Sequence, residues 1–290
     1  MIKHIGIWCC FLCFSGVALA QSTDIIRLEY TQIPENSNGI KTTRYRVLGN
    51  FPIALGPEKY VITGLEYNFL DIDVSRTFPF DFSELEQLHI IDFNLGYITR
   101  WNENWRFIGI VTPRLASNFV NGIESNDFLL NATAVFLKTK NDTDKPFRLF
   151  AGITFNSASG LPIPLPLISY RRRFHRNWSF NIGVPRMNLE YHLNDQHSFE
   201  IGALLDGYFV NAQNDILLPD GAIGANISLS AVLGNIGYRY RVTEEISFYG
   251  FFGHTIIQSG LLRDDKRKNV FVLNEDQNIY FRVGFRVGIF

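Results

Sequence analysis

The chain has 290 residues, with 27 Lys and Arg against 28 Asp and Glu, and a formal net charge of -1 at pH 7. This near neutrality argues against a nucleic-acid partner, because binding to a phosphate backbone requires a cationic face. All three Cys residues precede Phe14. If the residues up to that point are removed, the remaining chain contains no cysteine and can form neither a disulfide framework nor a thiolate metal site.

The N terminus has the pattern of a secretory signal peptide. A short basic start leads into an apolar run that ends at Phe14, and small residues precede an Ala18-x-Ala20 cleavage site. The run is too short for a membrane-spanning helix, which needs about 20 residues. We therefore predict a cleaved signal peptide at residues 1–20, followed by a single domain at residues 21–290.

Apolar and polar residues alternate along many segments of this domain. Between residues 147 and 156 every odd position is apolar, and the even positions include Arg148 and Thr154. Similar alternation recurs along 61–69, 178–184 and 199–206. Successive side chains of a strand point to opposite faces, so the pattern predicts β-strands with two different faces. Because no sustained helical period follows the signal, we predict an all-β fold.

The connections between the predicted strands alternate in length. Tight polar turns fall near residues 56–59, 102–104, 141–144, 175–177, 194–197 and 243–245. Longer connections lie near residues 72–86, 118–126, 158–164, 211–222 and 259–275. This asymmetry is typical of barrels with short periplasmic turns and longer extracellular loops. We therefore predict an antiparallel transmembrane β-barrel in the bacterial outer membrane, surrounded by outer-membrane lipid.

The count is about 14 strands, from 24–33 to 277–290, and twelve is the alternative. The count depends on 178–184 and 186–193, which meet at Pro185 and form either an external hairpin or one kinked crossing. Within residues 223–242 the apolar positions change from odd to even. That change predicts a β-bulge near Gly234-Asn235.

The end of the chain resembles the terminal strand of bacterial outer-membrane barrels. In that class a C-terminal aromatic residue after an alternating apolar strand is the label read by the barrel assembly machinery. The resemblance implies that this machinery is a partner of the chain. The predicted assembly signal consists of Phe281, Val283, Phe285, Val287, Ile289 and Phe290, although the alternating set is one residue out of phase with Phe290.

A second resemblance covers nearly all of residues 21–290. The layout, including Trp178, Gly183-Val184-Pro185 and Leu189-Glu190-Tyr191, is similar to a family of bacterial outer-membrane barrels known only as a domain of unknown function. That family falls within the porin-like barrel superfamily. The resemblance implies the fold and assigns no activity.

Few residues point to catalysis or to metal binding. Ser37 has no histidine two positions before it, as the outer-membrane phospholipase pattern requires, and it lies in a turn-like Asn-Ser-Asn-Gly string. The aspartates near the predicted outer loops and His254 do not form an evident water-activating group. His192 and His197 flank a turn without a third ligand. We predict no enzyme activity and no cofactor, and a hydrolase is the less favoured function.

Charged residues concentrate at the strand positions that alternate with the apolar ones. A barrel turns these polar positions toward its lumen. The charges serve either as ion-pair ladders that brace the wall or as the lining of an anion-favouring pore. The predicted lumen-facing charges are Arg44, Arg46, Glu66, Asp92, Arg106, Arg114, Arg148, Glu190, Glu200, Asp206, Arg239, Arg241, Arg282 and Arg286.

Two functions follow from this interpretation. A barrel of twelve to fourteen strands is wide enough to hold a channel, so a porin-like channel for small solutes is the first hypothesis. The alternative is a barrel that transports nothing and presents its loops as a structural or adhesive surface. Any obstruction of the lumen is expected from inward side chains or from folded-in loops such as 72–86, 211–222 or 259–275.

Overall fold

The computed structural model describes residues 24–35, 37–141, 143–157 and 163–288. The predicted signal peptide lies outside the described residues, as do Ile289 and Phe290 of the predicted assembly signal. No helix within the described ranges is long and apolar enough to span a membrane. Two three-residue 3₁₀ helices are present there, at Ser83–Leu85 and Ser125–Asp127.

Within the same ranges the chain forms fifteen β-strands. They are β1 Asp24–Ile33, β2 Ile40–Gly56, β3 Lys59–Val74, β4 Gln87–Arg100, β5 Trp105–Ser117, β6 Phe128–Lys140, β7 Phe147–Phe155, β8 Leu165–His175, β9 Trp178–Gly183, β10 Arg186–His192, β11 His197–Leu217, β12 Ile223–Arg241, β13 Ile246–Arg263, β14 Asn269–Asn274 and β15 Ile279–Gly288.

The strands close into one antiparallel ring. From β1 to β13 each strand pairs with its neighbours in sequence, and β15 pairs with both β13 and β1. Because β14 pairs with the far part of β13 and only continues the line of β15, the described strands other than β14 make a ring of fourteen. The predicted fourteen-stranded barrel is confirmed, and the alternative of twelve is wrong.

The two short strands that left the count open are both part of the wall. Leu189 of β10 lies opposite Phe180 of β9 on one side and opposite Ile201 of β11 on the other. A cis peptide bond joins Val184 and Pro185 between them. The pair is therefore neither an external hairpin nor a single kinked crossing.

The two ends of the barrel differ in their connections. The end that joins β2 to β3, β4 to β5, β6 to β7, β8 to β9, β10 to β11 and β12 to β13 is termed the turn end, and the other is the loop end. At the loop end β11 continues to Leu217 and β13 to Arg263. The predicted connections at 211–222 and 259–275 were therefore too long, because strand pairing persists into both.

The outer surface of the ring is apolar. Phe199, Phe252 and Val283 are each about half exposed on outward positions. Aromatic cross-strand pairs cover the wall, such as Phe248 and Phe285, whose ring centroids are 5.1 Å apart. This is the surface that a transmembrane barrel turns toward lipid.

The predicted bulge at Gly234-Asn235 is wrong. β12 pairs with β11 without interruption from Asn226 to Tyr240. The extra residue lies on β13, where Ile256 falls between the partners of Val232 and Leu233. The odd residues of β12 face inward along its whole length, and those near the loop end are apolar because they pack against a buried core inside the barrel.

Candidate functional site

An ion-pair network crosses the interior of the barrel. Asp206 on β11 contacts Arg282 on β15, with Oδ2 and Nη2 2.5 Å apart, and Arg44 on β2 at 3.3 Å. Glu29 on β1 lies 2.9 Å from Arg44 and 3.5 Å from Arg282. Since β12 and β13 separate β11 from β15 in the ring, these contacts pass through part of the lumen. The four residues are termed the central bridge.

Three of the four residues in the central bridge are buried, Asp206 is half-buried, and the groups have several partners. The side chains of Arg44, Glu29 and Arg282 are at most 9% exposed. The Tyr249 hydroxyl donates to Glu29 Oε2 at 2.7 Å, and Arg282 Nε donates to Thr31 Oγ1 at 3.0 Å. Buried charges are tolerated where opposite charges and additional hydrogen bonds replace water.

Further pairs brace neighbouring strands. Arg114 donates two hydrogen bonds to Asp92, at 2.6 and 2.7 Å, which is the bidentate geometry of a strong pair. Arg46 donates to Glu66 at 2.8 Å. The other contacts between inward charges are Arg171 and Arg239 with Glu190, Arg186 and Arg239 with Glu200, Arg27 and Arg286 with Asp24, and Arg106 with Glu58.

The loop-end mouth is filled by residues 75–86, termed the plug loop. Phe78, Phe82 and Leu85 join one buried core with inward apolar residues from β2 to β5 and from β11 to β14. Phe78 stacks on Phe82 with ring centroids 4.9 Å apart, and Leu85 is fully buried. In this loop the Ser83 N–H donates to Asp81 and holds the pKa of that carboxyl below its usual value.

The wall also narrows at the loop end, because the ends of β5 and β11 meet. Ser117 Oγ donates to the Asn211 carbonyl at 3.3 Å, and the two residues form a parallel bridge. The Asp127 carboxylate accepts hydrogen bonds at 2.8 Å from Asn211 and from Gln213. These contacts connect strands that five others separate in the ring.

Described residues line two cavities in the interior. A cavity of about 70 Å³ lies between the central bridge and the core around the plug loop, with Arg44 and Leu70 in its lining. An open pocket of about 240 Å³ lies at the turn end. Its lining includes Arg148, Arg171, Arg173, Arg239 and Arg241, and it is termed the arginine pocket.

The arginine pocket contains a serine and a histidine in contact. Ser179 Oγ is 2.9 Å from His192 Nε2 and 3.3 Å from Glu190 Oε2. Ser179 is only 2% exposed, which restricts access of a substrate to its oxygen. The negative charge of Glu190 also opposes the oxyanion that nucleophilic attack generates. We interpret the contact as part of the hydrogen-bond network of the wall.

Parity analysis of the sequence missed part of this pocket. It selected Arg148, Arg239 and Arg241, but not Arg171 or Arg173. A detectable signal was present on β8, where one parity carries both of these arginines and the other carries Ile168, Tyr170 and Phe174. The intervening Arg172 obscured the alternation.

The sequence of residues 75–288 matches the family model described as a domain of unknown function, DUF6268. That match covers most of the chain. The chain belongs to this family. The predicted resemblance to such a family is confirmed, and no curated protein matches the chain.

Solved structures with similar folds include outer-membrane proteins. An outer membrane channel from Pseudomonas putida F1 is 12% identical, with a TM-score of 0.43, over 91% of this chain and 93% of the other. LpxR from Salmonella typhimurium is 7% identical, with a TM-score of 0.41, over 91% and 99%. Outer membrane phospholipase A from Escherichia coli is 9% identical, with a TM-score of 0.36, over 91% and 92%. These similarities assign no activity to the chain.

The other residues considered for chemistry do not assemble into a site. Ser37 donates to Asp276 at the exposed loop end, and His254 lies on an outward position of β13. Among the described residues no three His, Asp or Glu side chains converge as metal ligands.

Proposed function

We propose that this chain is an outer-membrane barrel whose lumen is closed to free diffusion and whose loops are presented at the membrane surface. The central bridge carries the proposal, because its ion pairs join strands that are not neighbours in the ring through the interior of the barrel. The plug loop and the contact between β5 and β11 support it at the loop end.

The pairing of the interior charges favours a bracing role over a pore lining. An anion-favouring pore needs arginines around open space. Here Glu29, Glu66, Glu190 and Glu200 each lie within ion-pair distance of an inward arginine. This pairing supports ion-pair ladders that brace the wall. Such ladders fit a barrel that transports nothing better than a channel for solutes.

The same proposal includes the route to the membrane. It requires export through a cleaved signal peptide at residues 1–20 and recognition of β15 by the barrel assembly machinery. It assigns no catalytic role, since the buried Ser179 and its neighbour Glu190 are unsuited to nucleophilic attack.

Single-channel recording in a planar bilayer tests the closed lumen. We expect the purified wild-type barrel to insert without producing conductance steps, whereas a general porin prepared identically produces them. Insertion is verified separately by protection of the barrel from protease in vesicles. Reproducible open-channel steps from the wild type would establish the solute-channel hypothesis instead.

A further inference from the structure

We propose that the arginine pocket binds a phosphoryl group, a role distinct from closure of the lumen. Five guanidinium groups, from Arg148, Arg171, Arg173, Arg239 and Arg241, line one pocket of about 240 Å³. They come from the three strands β7, β8 and β12. Several strands therefore direct the same charge into one space.

Two of these arginines face each other across neighbouring strands. Arg148 on β7 lies directly opposite Arg171 on β8 in the strand register. Like charges opposite each other in antiparallel strands destabilise the pair. Arg148 has no ion-pair or hydrogen-bond partner among the described residues, although it is half-buried. A bound anion would remove this repulsion.

The acids near the pocket do not balance its arginines. Glu190 is shared by Arg171, at 2.7 Å, and Arg239, at 3.5 Å. Glu200 lies 3.7 Å from Arg239 and also pairs with Arg186 outside the pocket. Asp195 is the one acidic residue among the described residues of the lining. Arg173 donates to the backbone carbonyl of Arg176 and not to a carboxylate. An excess of positive charge therefore remains in the pocket.

The chemistry of the lining indicates the class of ligand. A guanidinium is a planar fork that donates two parallel hydrogen bonds to an oxyanion. A phosphate monoester spreads close to two negative charges over three oxygens, so it can accept from several forks at once. A single carboxylate offers fewer acceptors and half the charge. The converging arginines therefore fit a phosphoryl group better than a carboxylate.

The pocket opens at the turn end, which is the periplasmic end in the orientation predicted for such barrels. A phosphoryl group can reach it there as a free phosphate or phosphate ester, or as a lipid headgroup. The recognition chemistry is the same in both cases. The position of the pocket inside the ring favours the free anion.

Isothermal titration of the full-length barrel with inorganic phosphate, in a zwitterionic detergent at low ionic strength, tests the site. We expect saturable binding that Arg148→Gln weakens by about tenfold or more. Arg172→Gln is the matched control, because Arg172 lies on the same strand between two pocket arginines but on its other face. It should leave the affinity unchanged.

Thermal unfolding of the same proteins separates binding from a purely structural role. Without phosphate, Arg148→Gln should raise the melting temperature because it relieves the repulsion with Arg171. With phosphate, the wild type should gain stability and the variant should gain much less. A structural arginine would instead lower the melting temperature of the variant in both conditions.

A further experiment in lipid bilayers distinguishes a free phosphate or phosphate ester from a lipid headgroup. The barrel is placed in nanodiscs of phosphatidylcholine with or without phosphatidylglycerol, and Arg148-dependent stabilisation by the anionic lipid would identify a headgroup. The proposal fails if neither phosphate nor anionic lipid has an effect, or if Arg148→Gln and Arg172→Gln behave alike. None of these assays depends on conductance, so failure of this site and failure of the closed lumen are separate results.

Discussion

The charged side chains of the central bridge depend on one another at the level of single residues. Asp206 contacts two arginines from different strands, and Glu29 contacts the same two. Two positive and two negative charges thus compensate each other where little water is available. Loss of either arginine leaves two carboxylates to share the other one.

Replacing Arg282 with alanine should destabilise the barrel strongly. We expect the free energy of unfolding to fall by about 3–5 kcal/mol, because buried Glu29 and half-buried Asp206 lose a shared partner. Lys41→Ala is the control, since Lys41 pairs with Asp73 on the exposed surface and should contribute about 0–1 kcal/mol. Urea unfolding in lipid vesicles measures both. Equal losses would show that the bridge does not brace the wall.

A glycine beside the bridge permits one of its hydrogen bonds. Tyr249 lies across from Gly284, and a Cβ at Gly284 would come within 2.3 Å of the tyrosine ring. The same tyrosine donates to Glu29. The absent side chain therefore gives Tyr249 room to reach the buried carboxylate.

Gly284→Ala should displace Tyr249 and weaken its bond to Glu29. We expect a loss of about 1–3 kcal/mol in the free energy of unfolding. Gly250→Ala provides a control on the neighbouring strand, because a Cβ there meets no atom closer than 3.9 Å. Near-ultraviolet circular dichroism reports the tyrosine environment alongside the urea titration. An unchanged tyrosine signal in Gly284→Ala would contradict the steric argument.

Among the structural elements, the plug loop is held by apolar packing. Its Leu85 is fully buried, whereas the nearby Glu86 is exposed. A charge at position 85 would have no counter-ion in the core around it. The wall strands keep their own ladder of backbone hydrogen bonds, so the loop can be released without unfolding the ring.

Leu85→Asp should therefore open the plug loop while the barrel stays folded. We expect limited proteolysis to cut within residues 75–86 in this variant and not in the wild type. The barrel should retain the heat-dependent mobility on electrophoresis that reports a folded ring. Glu86→Asp is the control and should remain resistant. Resistance of Leu85→Asp would mean that the loop is not held by this core.

The elements also show what alternation in a sequence can and cannot predict. The first strand and the last strand were predictable because both alternate cleanly and must pair to close a ring. β12 was misinterpreted because Ile227 and Leu229 are apolar yet face inward, toward the core around the plug loop. Alternation shows that a strand has two different faces. The polar face is the inner one only where the interior of the barrel is itself polar and not packed with apolar side chains.

For the whole molecule, the proposed closure of the lumen depends on two barriers in series. The plug loop fills the loop end, and the central bridge crosses the interior beyond it. Parity placed many of the inward charges on one face of their strands, but it did not select Arg171 or Arg173. Their contacts across the lumen were not predictable, since they depend on ring closure and strand register over large separations in sequence.

A combined variant tests the two barriers. Deletion of residues 77–84 or Asp206→Ala alone should leave the barrel without conductance steps, because the other barrier remains. The two changes together should produce a leak in planar bilayers. Each single variant is the control for the pair. Conductance from either one alone would show that only one barrier closes the lumen.

The separations of the bridging residues along the chain also bear on the order of folding. Arg44 and Asp206 are 162 residues apart, and Asp206 and Arg282 are 76 apart. Contacts of this range form late, because long loops must close first. Until β15 docks between β13 and β1, Asp206 and Glu29 lack one of their cations, and both flanking strands expose an unpaired edge. Docking of β15 therefore closes the ring and supplies the missing cation in the same step. A chain that lacks β15 cannot form the closed ring or the complete central bridge.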